Sequence, residues 1–260
     1  MTLDFMPQYI YVTVKLSELP NTQFIEEKDF ETPIGEALKN ILWYHDNGRH
    51  KERDYEIARL NLLVKHLEEI KQHDENMLNS FRSKINRDDA NYYGFRFEVA
   101  TAASLIRKKV NFEKTETPDF KIIYGNHEIF IECTSRHLDK PKSRDYKIKS
   151  AILEKSEKSY CLPNTTLFID ITNIYHHSWL KGQLIQSGQL REYVISLLES
   201  IKFGSVVLFV FILNKDLNRL ELNYLRIDGY QTDLALKKFL DYYYPLGNHI
   251  VYDFVIPKRG

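Results

Sequence analysis

Asp119 and Glu132 flank a turn signal, Gly125-Asn126, set between two runs rich in Ile, Phe and Tyr. A two-residue loop there predicts a β-hairpin in which Tyr124 faces His127. Counting outward, Phe120 faces Ile131 and Asp119 faces Glu132. Side chains alternate along a strand, so Phe120, Ile122, Ile129, Ile131 and Cys133 share one apolar face, and Asp119, Glu132 and Thr134 lie on the other. Opposed residues have Cβ atoms about 4.5–5.5 Å apart, where two carboxylates repel unless a cation or a shared proton stands between them. A hard divalent cation, Mg²⁺ with Mn²⁺ as a substitute, takes oxygen ligands of this kind. The chemistry such a pair suits is phosphodiester hydrolysis, which needs a positioned water, a cation on the phosphoryl oxygens and stabilisation of the leaving alkoxide. Asp119 and Glu132 would bind the metal directly, with the backbone carbonyl of Cys133 as a neighbouring ligand. Glu98 would hold a metal-bound water.

The elements on either side must bring the remaining groups in. Phe95, Val99, Ala102, Ile106 and Val110 recur at helical spacing, and Glu98 sits beside that stripe, either as a ligand or in a salt bridge. After the hairpin, Ile148, Ile152 and Lys155 fall on one helix face. Lys155 interrupts the apolar stripe, as a snorkelling chain or as a placed cation. In the latter role it would orient the attacking water or steady the phosphate. Thr134 can hydrogen-bond in the same space but supplies no charge. Arg96, Arg136 and Lys149 are candidate phosphate contacts, which position a strand without reading its sequence.

The order of a helix Glu (Glu98), Pro118-Asp119, a hairpin and Glu132-Cys133-Thr134 resembles the PD-(D/E)xK, or restriction-endonuclease-like, nuclease superfamily over roughly residues 90 to 175. The resemblance implies an α/β fold: a mixed β-sheet flanked by helices over 91–260, here with a helical N-terminal extension over 1–90. It also implies an Mg²⁺-dependent nuclease acting on nucleic acid, with DNA ahead of RNA and endonuclease ahead of exonuclease. One departure stands out, because Thr134 occupies the place of the family's lysine. In some branches that lysine has moved to the following helix, which nominates Lys155. Without a lysine in the site, the chain would be a nuclease fold serving as a nucleic-acid-binding or interaction module.

Lys plus Arg equals Asp plus Glu at 36 each, so bulk charge announces no polyanion partner. Its distribution is uneven: residues 136–149 carry six Lys/Arg against two Asp, a basic patch suited to phosphodiesters or a solvated loop. Cys133 and Cys161 lack metal-ligand spacing and read as reduced thiols of a cytoplasmic protein. The opening MTLDFMPQYI has no basic n-region or apolar h-region, so no signal peptide is expected. The longest apolar run, VVLFVFIL at 206–213, suits a buried strand and is too short to span a bilayer.

Further expectations follow in chain order. Residues 8–17 read as a strand; Thr32-Pro33 opens a helix to about His45; and 52–86 is a long periodic helix with an interruption at His73–Asn76. That helix packs on its parent domain or mediates a homodimer. Thr165–Ile174 reads as a strand broken by Asp170, which is a further carboxylate or the polar end of a partly exposed strand. A helix over 188–203 would stop at Gly204. Strand 206–213, a helix over 232–244 and a last strand, His249–Ile256, complete the chain. His176-His177 has no third ligand at useful spacing and reads as loop surface.

Overall fold

The computed structural model describes residues 5–19, 31–85, 92–136, 144–180, 187–214 and 219–246. The chain forms two compact units. The first is Met1–Lys109 with Leu213–Glu221, and the second is Val110–Ile212 with Leu222–Gly260.

The first unit is built on helices α1 (Met6–Glu18), α2 (Pro33–Asp46), α3 (His50–His73), α4 (Glu75–Ile85) and α5 (Tyr92–Arg107). The strand expected over 8–17 is instead α1. Its β-branched letters suggest a strand, but the buried residues Val12, Leu16 and Leu19 recur at i, i+4 and i+7, whereas Ile10, Tyr11 and Val14 are exposed. Burial against neighbouring helices overrides propensity here. Thr32 caps α2 as expected, its Oγ1 accepting from the Gly35 N–H at 3.1 Å. The long periodic helix breaks at Asp74, which turns extended (φ −158°, ψ 110°) and takes the Asn76 N–H on Oδ1 at 2.8 Å. One residue thus ends α3 and starts α4. Ile57, Leu60, Leu63, Val64, Leu67 and Ile70 of α3 are buried, as are Phe81 of α4 and Phe95 of α5, whose rings meet edge-on.

Among these apolar side chains α3 also buries His66, 4 % exposed. Burial, reinforced by the charges of Arg107, Lys65 and Arg96, pulls its imidazole from 6.5 down to about 3. The unfolded chain therefore takes up a proton that the folded one refuses, and stability falls as pH drops from about 6.5 toward 3. The loss should reach about 2–3 kcal/mol by about pH 4.5. Urea unfolding at about pH 7 and pH 4.5 should show a smaller acid loss for His66→Gln than for the wild type; equal losses would refute the assignment.

Beyond α5 runs a six-stranded mixed sheet in the order β1 (Phe112–Lys114), β2 (Phe120–Tyr124), β3 (His127–Ser135), β4 (Thr165–Asp170), β5 (Ser205–Asn214) and β6 (Arg219–Asp228). β1, β2 and β3 pair antiparallel, and β3, β4 and β5 pair parallel. Parallel neighbours need crossovers, supplied by α6 (Arg144–Ser156) between β3 and β4, and by α7 (Thr172–Leu180) with α8 (Ser187–Leu198) between β4 and β5. α9 (Leu234–Tyr243) follows, with Asp233 accepting the Ala235 and Leu236 N–H groups. The fold is thus α/β, with an open mixed sheet flanked by helices.

Both faces of the parallel strands are covered. Leu167, Ile169, Val206 and Leu208 pack with Ile148, Ile152, Val194 and Leu198 of α6 and α8. Phe168 and Phe209 on the opposite face pack with Tyr244, just beyond α9. Arg226 of β6 is 2 % exposed. Its Nε and Nη2 both bond Asp228, while Nη1 reaches the Tyr244 carbonyl at 3.1 Å and Asp241 at 2.9 Å.

Two boundaries differ from the expectation. β4 ends at Asp170 rather than running to Ile174, because its Oδ1 takes the Thr172 N–H at 2.9 Å and starts α7. Asp170 is 2 % exposed, so it is not the polar end of an exposed strand. α8 ends at Leu198, and Gly204 serves a close approach to Pro163 rather than a helix stop. β1 and β6 were not expected at all. The expected strand His249–Ile256 and residues 137–143 of the basic run lie outside the described residues. No described helix is long and apolar enough to cross a membrane.

Candidate metal and phosphoryl-transfer site

The hairpin register is the one the turn dictates: Tyr124 pairs with His127, Ile122 with Ile129 and Phe120 with Ile131. Gly125 has φ +63° and Asn126 does not share its sign, the pattern of a type II′ turn with glycine first. Phe120, Ile122, Ile129, Ile131 and Cys133 are all buried, as their shared face requires. The other face is not open at the far end of β3. Glu132 pairs with Leu167 and Thr134 with Ile169, so both look toward α6, and they are 5 % and 7 % exposed.

Asp119 stands one residue before β2 and is itself 5 % exposed. Its Oδ2 accepts the Cys133 N–H at 2.8 Å. Even-numbered residues of β3 turn their backbone toward β4, as the Phe130 and Arg136 N–H bonds to the Asn164 and Asp170 carbonyls show. Odd-numbered ones therefore turn toward β2. Past the end of β2 the Cys133 N–H has no strand partner, and the Asp119 carboxylate takes that place.

Each acid holds an ammonium. Lys155 Nζ donates to Glu132 Oε1 at 2.6 Å, and Lys114 Nζ donates to Asp119 Oδ1 at 3.0 Å and to the Thr115 carbonyl at 2.9 Å. Lys114 Nζ also lies 5.0 Å from the Phe120 ring centroid. Buried carboxylates are costly without such partners. Tyr160 joins the two acids. Burial first, then the charge of Glu132 and a hydrogen bond to it, then the charge of Asp119 push its phenol well above the usual range. Both carboxylates therefore act on one hydroxyl.

The structure brings Asp119, Glu132, Cys133 and Lys155 together in the second unit. Thr134 lies two residues along β3 from Glu132 on the same face. Arg136 pairs with Glu154 of α6, and Lys149 is exposed on α6. Glu98 and Arg96 belong to α5 of the first unit, where Lys84 Nζ meets Glu98 Oε2 at 3.1 Å and Arg96 lies over Tyr92 and Tyr93. Lys114 and Tyr160 were not nominated from the sequence. A signal for Lys114 exists in hindsight, since Lys114 pairs with Phe120 and so sits across the strand from Asp119's neighbour.

No family model, curated protein or solved structure matches this chain.

Two buried carboxylates with a backbone carbonyl at the same strand edge fit Mg²⁺, which is usually held by one or two carboxylates and keeps several waters. No group of three or more His, Cys, Asp or Glu side chains that could hold a metal occurs among the described residues. The fit therefore rests on the pair alone. Cys133 and Cys161 are buried free thiols. His176 Nε2 lies 3.3 Å from the Phe211 carbonyl, in α7 rather than in a loop, and the side chain of His177 is outside the described set.

Proposed function

We propose that the chain is a Mg²⁺-dependent nuclease of the restriction-endonuclease-like type, hydrolysing phosphodiester bonds in DNA. One observation carries the reading: Lys155, from the helix after the hairpin, places its ammonium 2.6 Å from Glu132, where the resemblance calls for a lysine and Thr134 cannot serve. The order of helix, hairpin, Glu132 and lysine-bearing helix supports it.

Asp119 and Glu132 would hold the metal, which supplies Lewis-acid activation of the phosphoryl group and of water when bound. Lys155 has two tasks at its one position. It neutralises Glu132 in the resting protein, and it offers N–H donors to a phosphoryl oxygen when the carboxylate turns to another cation. Lys114 balances Asp119 in the same manner. Tyr160 keeps Glu132 in place through its hydroxyl and, with its phenol held protonated, acts as a donor rather than a base. Burial of Asp119, Glu132 and Tyr160 keeps bulk water from screening them.

A second reading rests on its own observation. Both acids are already paired with lysines, so the cluster is electrically complete as it stands. On this reading the chain keeps the architecture and binds nucleic acid without cutting it. The deciding experiment follows supercoiled DNA in Mg²⁺ with the wild type, Asp119→Asn and Glu132→Gln, these isosteres keeping the buried shape. The nuclease reading expects cleavage by the wild type and none by either variant while circular dichroism shows each still folded at the assay temperature. Cleavage by both variants rules out this site, and salt-sensitive DNA binding without cleavage by the wild type selects the second reading.

A further inference from the structure

The first unit carries a second cluster, on α3 and α5. Arg59 is 7 % exposed, and an arginine is almost never so buried unless paired. Its Nη1 donates to Glu56 at 2.7 Å. Its guanidinium carbon stands 5.3 Å from the Tyr55 ring centroid and 5.6 Å from that of Tyr93. Its Nε–H is buried and meets no acceptor among the described residues. From α5, Arg96 lies over the rings of Tyr92 and Tyr93 at 6.0 and 5.8 Å. Tyr92 is 6 % exposed, and its hydroxyl is likewise buried without a hydrogen-bond partner among the described residues.

A buried donor left unmade is costly, and folded proteins leave few of them. Here the Arg59 Nε–H and the Tyr92 O–H, both unmet among the described residues, lie in one cluster of stacked rings and guanidinium groups. Among the described residues, two guanidinium charges stand against the one carboxylate of Glu56, a formal +1. The group that completes it is therefore an acceptor with negative charge. A guanidinium's planar fork matches phosphate oxygens, and Arg–aromatic platforms are the surfaces on which nucleic-acid strands are held.

We propose that Arg59, Arg96, Tyr92 and Tyr93 form a binding site for a phosphate group, free or carried on a nucleic-acid strand. The site does not depend on the carboxylate pair or on cleavage. Its test is binding, measured by calorimetry with inorganic phosphate and by fluorescence anisotropy with a single strand of about twelve thymidines, for wild type, Arg96→Gln and Tyr92→Phe. The proposal expects the wild type to bind phosphate, or to bind the strand in a manner that phosphate displaces; the first without the second identifies free phosphate as the ligand. It expects each variant to weaken that binding about tenfold or more. Tyr92→Phe should keep or raise the Tm of the unliganded protein, because it removes an unmet hydroxyl, so this variant decides the matter even if Arg96→Gln folds poorly. A wild type that binds neither probe overturns the proposal. So does binding unchanged in Tyr92→Phe, or a Tyr92→Phe variant that loses Tm, since the hydroxyl would then be structural.

Discussion

Glu132→Gln is expected to lower metal-dependent DNA cleavage by about 10²–10³-fold or more, with little change in Tm. Glutamine fills the same volume between Leu167 and α6 and can still accept from Lys155, so the packing survives. The negative charge does not, and with it goes one of the two anionic ligands. Lys155→Met should behave differently. It removes the ammonium that competes for Glu132 at 2.6 Å, so Mn²⁺ measured by calorimetry should bind more tightly while single-turnover cleavage slows. Tighter metal binding with full cleavage would reduce Lys155 to a charge-balancing role. Unchanged metal affinity in both variants would remove Glu132 from the metal site.

Gly204→Ala is expected to destabilise the second unit by at least about 3 kcal/mol, at the upper end for an overpacked site. A Cβ there would fall 2.0 Å from the Pro163 carbonyl oxygen and 2.7 Å from Leu236 Cδ2. Leucine could turn aside, but the carbonyl cannot, because Pro163 O accepts the Asp233 N–H at 2.9 Å, the residue that caps α9. Gly204 is fixed as well: its N–H donates to the Thr165 carbonyl at 3.0 Å and its carbonyl accepts the Gly229 N–H at 2.8 Å. Strands β4 and β5, the start of α9 and the end of β6 all meet at this point. The Tm should fall by roughly 6–12 °C for a chain of this size; a fall under about 2 °C would mean the backbone gives way more easily than these bonds allow.

The parts of the site that local periodicity governs were legible in the sequence. A two-residue turn fixes pairing to the residue, so the Phe120–Ile131 register and the approach of Asp119 to β3 could be counted, and helical spacing placed Lys155 on the core-facing side of α6. Lys114 and Tyr160 were not legible. Lys114 depends on the pairing of a three-residue strand, too short to show alternation. Tyr160 depends on how the chain turns after Ser156, which no repeat encodes. In the fold, α1 was misread because Ile10, Val12 and Val14 favour strands in isolation, while the contacts that make it a helix come from elsewhere in the first unit. Gly204 was misread because a glycine after a helix has two physical explanations, a stop or a close approach, and only coordinates separate them. Asp170 was misread because a buried aspartate that caps the next helix looks, in letters, like a strand reaching solvent.

The guanidinium of Arg226 makes four contacts on one rigid plane, two to Asp228 of its own strand and one each to Asp241 of α9 and the Tyr244 carbonyl just beyond it, and such a fork does not release its partners singly. Withdrawing Asp241 or the Tyr244 carbonyl leaves a buried Nη1 N–H without its acceptor, so the strand and the helix should open to solvent in one event. Amide hydrogen exchange would then report Leu225–Ile227 and Leu236–Leu240 as one cooperative unit with a common opening free energy.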